Sequence, residues 1–313
     1  MPDYPVCLIV TAGANEFASE IARHDPRIPV RCCASAKSAL HAYADETIVL
    51  GDPAMIGEVL QNLPRVEWVQ SSWAGVTPLI GHPRRGYVLT GIKDVFGPQM
   101  SEYVLGYLLA HELKLLERKA AQQKRTWLKD SSGVLAGKRL GIMGTGSIGR
   151  RLAHSAAVFG LTSIGLSRTG AATQGFERVL PVAHLHEFLE QCDYLVSTLP
   201  ETAETDRLLD SAALRALPRH AYFVNVGRSN VVDDAALIDA LQNGRLAGAA
   251  VDVFDQEPVP QDSPLWDTPG LTMTAHVAAV SHPRLIVPIF IDNYRRYTKG
   301  QALKYVVDFD AGY

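Results

Sequence analysis

Near the middle of the 313-residue chain, the apolar run Leu140–Met143 leads directly into Gly144-Thr145-Gly146-Ser147-Ile148-Gly149, and a helical stretch over Ile148–Phe159 follows. A bare G-x-G-x-x-G also marks ordinary turns. Placed between a strand and a helix, it has the context of a loop that cradles the phosphates of a dinucleotide. Gly144 permits the tight turn, Gly146 lets a pyrophosphate approach the backbone, and Gly149 allows close packing of helix on strand. Ser147 and Ile148 open the helix, whose free N–H groups and positive dipole end then face the phosphates. Such a unit requires a parallel α/β sheet around it.

The flanking sequence supplies one. Thr162–Ser167, Tyr194–Leu199, Ala221–Val226, Ala247–Phe254 and Leu271–Ala275 read as further strands. Helices fall between them, including Asp234–Gln242, which Asn243-Gly244 stops. The first hundred residues repeat the alternation: strands at Val6–Thr11, Thr47–Leu50, Val66–Ser71 and Tyr87–Thr90, with helical spacing over Glu16–His24 and Met55–Leu63. The fold class is therefore α/β, with two doubly wound parallel sheets. A break at Phe96-Gly97-Pro98 precedes a helix expected to run from Met100 to about Lys124, then a loop over Trp127–Gly137. A last helix carries Ile286, Phe290, Asn293, Tyr294 and Tyr297 on one face, with Pro288 threatening a kink near its start.

Composition narrows the partners. Apolar residues make up 47% and charged residues 20%, an ordinary globular balance. With 30 Lys plus Arg against 33 Asp plus Glu, the net charge is −3, which argues against nucleic acid or an anionic membrane and for a small molecule. No apolar run approaches the roughly 18 residues of a membrane span. Met1-Pro2-Asp3-Tyr4-Pro5 has no basic region ahead of Val6–Val10, so no signal peptide is expected. Cys7, Cys32, Cys33 and Cys192 show no metal-binding spacing, and the expectation is buried or half-buried reduced thiols in a cytoplasmic chain without a metal.

The strand after the glycine loop bears on cofactor choice. An NAD site usually has Asp or Glu roughly 20 residues on, to bond the ribose 2′-hydroxyl. Here the strand ends in Ser167-Arg168-Thr169, and no acid occurs between Gly149 and Glu177. Arg168 can hold a 2′-phosphate in its fork, so NADP (NADPH) is the preferred cofactor and NAD remains possible; a solvated surface Arg is the alternative. Three later polar residues each follow an apolar strand: Arg228 after Val224-Asn225-Val226-Gly227, Asp252 after Val251 with Glu257-Pro258 beyond it, and His276 after Thr272–Ala275. Open α/β sheets bind ligands at such strand ends. Each residue alone has a plain structural alternative; together, downstream of the loop, they can converge on one crevice.

With these pieces in order, the chain resembles the D-isomer-specific 2-hydroxyacid dehydrogenases. The matching segments are G-T-G-S-I-G, L-P-E-T-A-E-T at Leu199–Thr205, V-N-V-G-R ending at Arg228, D-V-F-D-Q-E-P from Asp252 to Pro258, and T-A-H-V-A-A from Thr274. The S-R-T at Ser167, the H-V-A-A-V-S-H-P at His276 and the closing D-x-x-A-G-Y are most similar to the glyoxylate/hydroxypyruvate reductase A branch. The resemblance implies a Rossmann cofactor domain, residues 100–282, inserted in a flavodoxin-like substrate domain, residues 1–99 and 283–313, with an interdomain active site that closing shields from water.

It also implies roles. His276 is the general acid and Glu257 its partner at the other ring nitrogen. Arg228 pairs with the substrate carboxylate and polarises the carbonyl. Asp252 orients the nicotinamide carboxamide, while Leu199, Pro200, Thr205 and Val226 line the cofactor. The loop Trp73-Ala74-Gly75-Val76 offers backbone N–H groups to the carboxylate, as Arg228 and His276 offer side chains. Trp73 departs from the small residue many relatives have, and either caps and narrows the pocket or packs away from it as core. The activity so implied is NAD(P)H-dependent reduction of a small 2-oxo acid, first glyoxylate or hydroxypyruvate, by a homodimer. Formate dehydrogenases would call for Gln at position 257. A dinucleotide-sensing protein of the same fold, like the family's corepressors, stays open, because such proteins can keep these residues.

Overall fold

The structure, a computed structural model, describes residues 4–310. Met1–Asp3, where the N-terminal reading above begins, and Ala311–Tyr313, the end of the D-x-x-A-G-Y close, lie outside the described residues. Two compact units divide the chain: Met1–Val95 with Ser281–Tyr313, and Phe96–Val280.

In the first unit, strands β1 (Cys7–Val10), β2 (Val30–Cys33), β3 (Ile48–Gly51), β4 (Trp68–Ser71) and β5 (Val88–Thr90) form a parallel sheet in the order β2-β1-β3-β4-β5. This is the flavodoxin-like order. β1, β3 and β4 are buried along their whole length; β1 and β3 therefore read as unbroken apolar runs, while β4 carries Gln70 and Ser71, whose side chains donate to the Gly91 and Trp73 carbonyls. Helices α1 (Ala14–His24), α2 (Ala36–Ala42), α3 (Pro53–Val59) and α4 (Thr77–Ile80) connect them. α3 begins where it does because the Asp52 carboxylate accepts from the Ala54 N–H at 2.8 Å while Pro53 takes the first helical position, where no N–H is needed. The last helix, Pro283–Tyr297, returns to this unit and runs on through Pro288. Trp68 stacks on Phe290 and Tyr297 of that helix at centroid distances of 5.5 and 5.6 Å, contacts worth about 0.5–1.5 kcal/mol each beyond the area they bury.

The second unit opens with α5 (Gly97–Glu112) and α6 (Leu115–Gln123). The single helix expected to about Lys124 is therefore two. Lys114 adopts a left-handed backbone, φ 50°, and the Arg118 guanidinium donates to the Leu113 carbonyl at 2.9 Å and the Asp130 carbonyl at 2.6 Å. A side chain thus satisfies a carbonyl that a continuing helix would have used, and the apolar spacing is blind to that. Then follow β6 (Arg139–Met143), α7 (Ser147–Ala157), β7 (Thr162–Ser167), β8 (Arg178–Pro181), α8 (Leu185–Leu189), β9 (Tyr194–Ser197), α9 (Ser211–Ala216), β10 (Tyr222–Asn225), α10 (Asp234–Gln242), β11 (Gly248–Val251) and β12 (Leu271–Met273). Their sheet is wholly parallel, ordered β12-β11-β10-β9-β6-β7-β8, with the Rossmann reversal between β6 and β9.

The sequence reading missed β2, α2 and β8. Both strands lie at sheet edges, where a run is short and one side is exposed, so Arg31, Arg178 and Pro181 are tolerated and the apolar signal fades. The same edge corrects the cysteine expectation: Cys7, Cys33 and Cys192 are buried free thiols, but Cys32 is exposed, facing away from Cys33 across the pleat. No helix among the described residues is long and apolar enough to cross a membrane.

Candidate active site

The strand order of the second unit sets its carboxyl edge. Read from β12 inward, the residues just beyond the strand ends are His276, Asp252, Arg228, Leu199, Gly144 and, past β7, Arg168. All strands are parallel and neighbours lie about 4.8 Å apart, so the ends of β12, β11 and β10 fall within about 10 Å. Residues separated by dozens of positions in sequence become neighbours on one side of the sheet.

The glycine loop has the geometry of a phosphate cradle. Gly144 has φ +100°, open only to glycine without strain, and a Cβ there would lie 2.7 Å from Thr198 Oγ1. A Cβ on Gly149 would sit 2.0 Å from the Gly144 carbonyl oxygen, so that position brings helix and loop together. Gly146 is different: its missing Cβ borders open space, with nothing within 4 Å. It also precedes α7 without any side-chain cap, leaving the first helical N–H groups, from Ser147 and Ile148 on, uncapped by it. Open space, free donors and a positive helix end together fit a dinucleotide pyrophosphate.

The imidazole and its carboxylate meet. His276 Nδ1 and Glu257 Oε2 are 2.9 Å apart, and Glu257 Oε1 accepts from the Phe254 N–H at 2.9 Å. Glu257 is thereby fixed from its own loop, Nδ1 is the donor to it, and Nε2 has no partner among the described residues. Arg228 is half-buried beside them. Its Nη1 donates to the Gly227 carbonyl at 2.7 Å, and it forms no ion pair among the described residues. Burial pushes its guanidinium below the ordinary arginine range, while the carboxylates of Glu201 and Glu257 act in the opposite direction. A desolvated guanidinium without an ion pair, in the field of the carboxylate that bonds the imidazole, is chemically suited to hold an anion.

Asp252 is 1% exposed, and its carboxylate is turned toward its own chain. Oδ1 accepts from Thr274 Oγ1 and from the Val277 N–H at 2.9 Å, and Oδ2 from the Ala278 N–H at 2.8 Å. A carboxylate has about four acceptor positions, so one stays open on Oδ2. Val226 is buried, its N–H donating to the Ser197 carbonyl at 3.2 Å. Leu199 is half-buried and Pro200 exposed at the same edge. Thr205 turns inward on its own loop: Oγ1 donates to the Pro200 carbonyl at 2.8 Å and accepts from the Thr202 N–H at 2.9 Å. Arg168 and Thr169 are exposed, and Ser167 Oγ accepts from the Gly170 N–H at 3.0 Å, closing the turn after β7.

In the first unit, Ser71 Oγ pins the candidate loop by accepting from the Trp73 N–H at 3.0 Å and donating to the Trp73 carbonyl at 2.7 Å. Trp73 is 36% exposed and outside the unit's core, Ala74 is exposed and Gly75 half-buried. Val76 is a core residue, so only its backbone is available. Two groups escaped the sequence reading. Asn225, fully buried, accepts from the Gly227 N–H at 3.1 Å and donates to the Arg228 carbonyl at 3.1 Å, shaping the turn that carries Arg228. An Asn ending an apolar strand two residues before Gly-Arg was the available signal. Glu201, whose charge Arg228 feels, carried none.

Fold and cradle together define a dinucleotide-binding α/β protein. Residues 105–278 match the family model described as D-isomer specific 2-hydroxyacid dehydrogenase, NAD binding domain. Glyoxylate/hydroxypyruvate reductase A of Salmonella paratyphi B is 35% identical over 217 residues, 69% of this chain and 70% of the relative. Among solved structures, a D-isomer specific 2-hydroxyacid dehydrogenase family protein from Aeromonas salmonicida superposes with TM-score 0.94 at 36% identity, covering 98% of this chain and 100% of its own. The NADPH-dependent glyoxylate/hydroxypyruvate reductase of Sinorhizobium meliloti, solved with NADP and sulfate, gives TM-score 0.87 at 28% identity over 99% of this chain and 100% of its own. The chain belongs to the D-isomer specific 2-hydroxyacid dehydrogenase family.

Proposed function

We propose that this chain reduces a small 2-oxo acid, glyoxylate or hydroxypyruvate, to the D-2-hydroxy acid, with NADPH preferred over NADH. The observation that carries the reading is the His276–Glu257 pair at 2.9 Å, with Nε2 free, beside the unpaired Arg228 guanidinium. A bound nicotinamide dinucleotide supplies the hydride that goes to the carbonyl carbon. The residues do the rest. Arg228 holds the substrate carboxylate in its planar fork and polarises the carbonyl. His276 gives a proton from Nε2 to the carbonyl oxygen, so that hydride and proton together make the alcohol. Glu257 keeps Nδ1 protonated and the ring oriented, and positioned proton transfer of this kind is worth about 10²–10⁴-fold.

The glycine loop and α7 receive the pyrophosphate, with Leu199, Pro200, Thr205 and Val226 around it. The open acceptor position of Asp252 takes the carboxamide N–H. Ser167, Arg168 and Thr169 take the ribose 2′-phosphate, supported by the absence of any acid between Gly149 and Glu177 and by the NADP bound in the Sinorhizobium relative. Residues 100–282 form the cofactor domain. Residues 1–99 and 283–313 form the substrate domain. The working form is a cytoplasmic homodimer.

Initial rates on glyoxylate, hydroxypyruvate, pyruvate and phenylpyruvate, each with NADPH and NADH, test the reading. The expected result is highest kcat/KM for one of the first two with NADPH. Tight dinucleotide binding with negligible oxidation of NADPH by any 2-oxo acid would overturn it in favour of a sensor.

A further inference from the structure

His276 stands at a backbone position that a side chain rarely adopts. Its φ is +53°, in the left-handed region, which strains a residue with a Cβ and persists only where the surroundings enforce it. What enforces it here is one buried residue, Asp252, through its main chain and its carboxylate. The Asp252 main-chain oxygen accepts from the His276 N–H at 2.9 Å, and its side chain accepts from the Val277 and Ala278 N–H groups at 2.9 and 2.8 Å. Thr274 Oγ1 bonds the same carboxylate on the other side of His276.

The clamp has an outer member. Tyr103, on α5, places its hydroxyl 2.6 Å from Thr274 Oγ1. Thr274 has one hydroxyl proton, and the Asp252 carboxylate can only accept, so that proton points to Asp252 and Tyr103 donates to Thr274. Burial first of all, with the Asp252 charge adding to it, pushes the Tyr103 phenol up, so it stays a neutral donor. The order is Tyr103 Oη–H to Thr274 Oγ1–H to Asp252 Oδ1. Tyr103 also packs against Tyr107 at a centroid distance of 4.7 Å.

We propose that Tyr103 and Thr274 are positioning residues for His276: by orienting the Asp252 carboxylate they hold the turn 274–278 in the form that presents the imidazole to Glu257 and to substrate. This rests on the reading of His276 as the proton donor. Neither hydroxyl touches substrate in this account. Their effect is on how often the imidazole is correctly aimed, and misplacement of a reacting group by about 1 Å can lower a rate by about 10²-fold.

The full chain is compared with Thr274→Val, Thr274→Ser and Tyr103→Phe by amide hydrogen exchange at Val277 and Ala278, steady-state kinetics, dinucleotide Kd and Tm. Thr274→Val is expected to speed exchange at both amides and lower kcat between about tenfold and a hundredfold, with Tm close to wild type and a kcat loss larger than any rise in dinucleotide Kd. Thr274→Ser restores both, and Tyr103→Phe moves both the same way by less. Wild-type exchange and kcat in Thr274→Val would overturn the proposal. So would a kcat loss that tracks lost cofactor affinity and Tm and that serine does not rescue. If the wild-type chain proves inactive on 2-oxo acids, the reductase reading fails by itself. The exchange rates then still decide whether the two hydroxyls hold the turn.

Discussion

Arg228 carries a charge that the free protein has not neutralised, and replacing it separates function from stability. Burial holds its guanidinium below the ordinary arginine range despite Glu201 and Glu257. A folded-state value below the unfolded one means the charged form is disfavoured by folding. That penalty is present throughout the working pH range and is relieved only as pH rises through the folded value. Methionine has similar length and no charge. The single bond to the Gly227 carbonyl is lost, and because Gly227 is buried this offsets part of the gain. Removing a desolvated, unpaired charge is worth about 1–3 kcal/mol when fully buried. Half-exposure reduces that to about 1 kcal/mol, or about 2–4 °C in Tm for a unit of this size. The functional loss runs the other way. A charge-assisted fork to a carboxylate contributes about 1.5–3 kcal/mol, so KM for glyoxylate should rise roughly tenfold to 150-fold, and kcat should fall as carbonyl polarisation is lost. Differential scanning fluorimetry with and without oxalate, beside kinetics and a dinucleotide titration, reads all of this. At about 100 times Kd, oxalate should stabilise the wild-type chain by about 2.7 kcal/mol and Arg228→Met hardly at all, with dinucleotide affinity retained. A variant that melts below wild type and keeps the oxalate shift would refute the reasoning.

Three further outcomes are expected. Arg168→Ala should lower the NADPH-to-NADH ratio of kcat/KM by about tenfold to a hundredfold, the worth of one charge-assisted bond, and an unchanged ratio would return Arg168 to the solvated surface. His276→Ala should lower kcat by about 10²–10⁴-fold at nearly unchanged dinucleotide Kd; a wild-type kcat would remove it as the acid. Glu112 in α5 is buried, which pushes its carboxyl up, yet Lys138 Nζ at 2.5 Å and Tyr194 Oη at 2.6 Å hold it below the ordinary glutamate range. Its stabilisation is complete above the unfolded value of about 4.3 and is lost as pH falls through the lower folded value. Glu112→Ala should therefore destabilise the protein at pH 7 by the charge-linked part and by about 1–3 kcal/mol for the unpartnered Tyr194 hydroxyl, and the gap between the two Tm curves should narrow in acid as the charge-linked part is lost. A constant gap across pH would assign the effect to packing alone.

Much of this molecule is written locally. Buried central strands are mostly apolar because both faces are covered, and a strand, three spaced glycines and a helix in that order have the context of a phosphate loop, so β6, Gly144–Gly149 and α7 are legible from residue types. Edge strands β2 and β8 are not, since their stability comes from one neighbour and not from burial on both sides. The end of α5 is not either, because the group that satisfies the Leu113 carbonyl is the Arg118 side chain, not the next helical N–H.

Residue types also marked Arg228, Glu257 and His276 as chemically apt, each after a strand. Only the pairing of β12 with β11 and β11 with β10 brings those strand ends side by side, and only the folded chain shows that the Asp252 carboxylate turns back to hold the His276 turn. Period and turn chemistry are set by atoms a few residues apart and survive in a string of letters. Which oxygen receives a given proton depends on the register of strands far apart in sequence, and that is decided by the packing of the whole sheet.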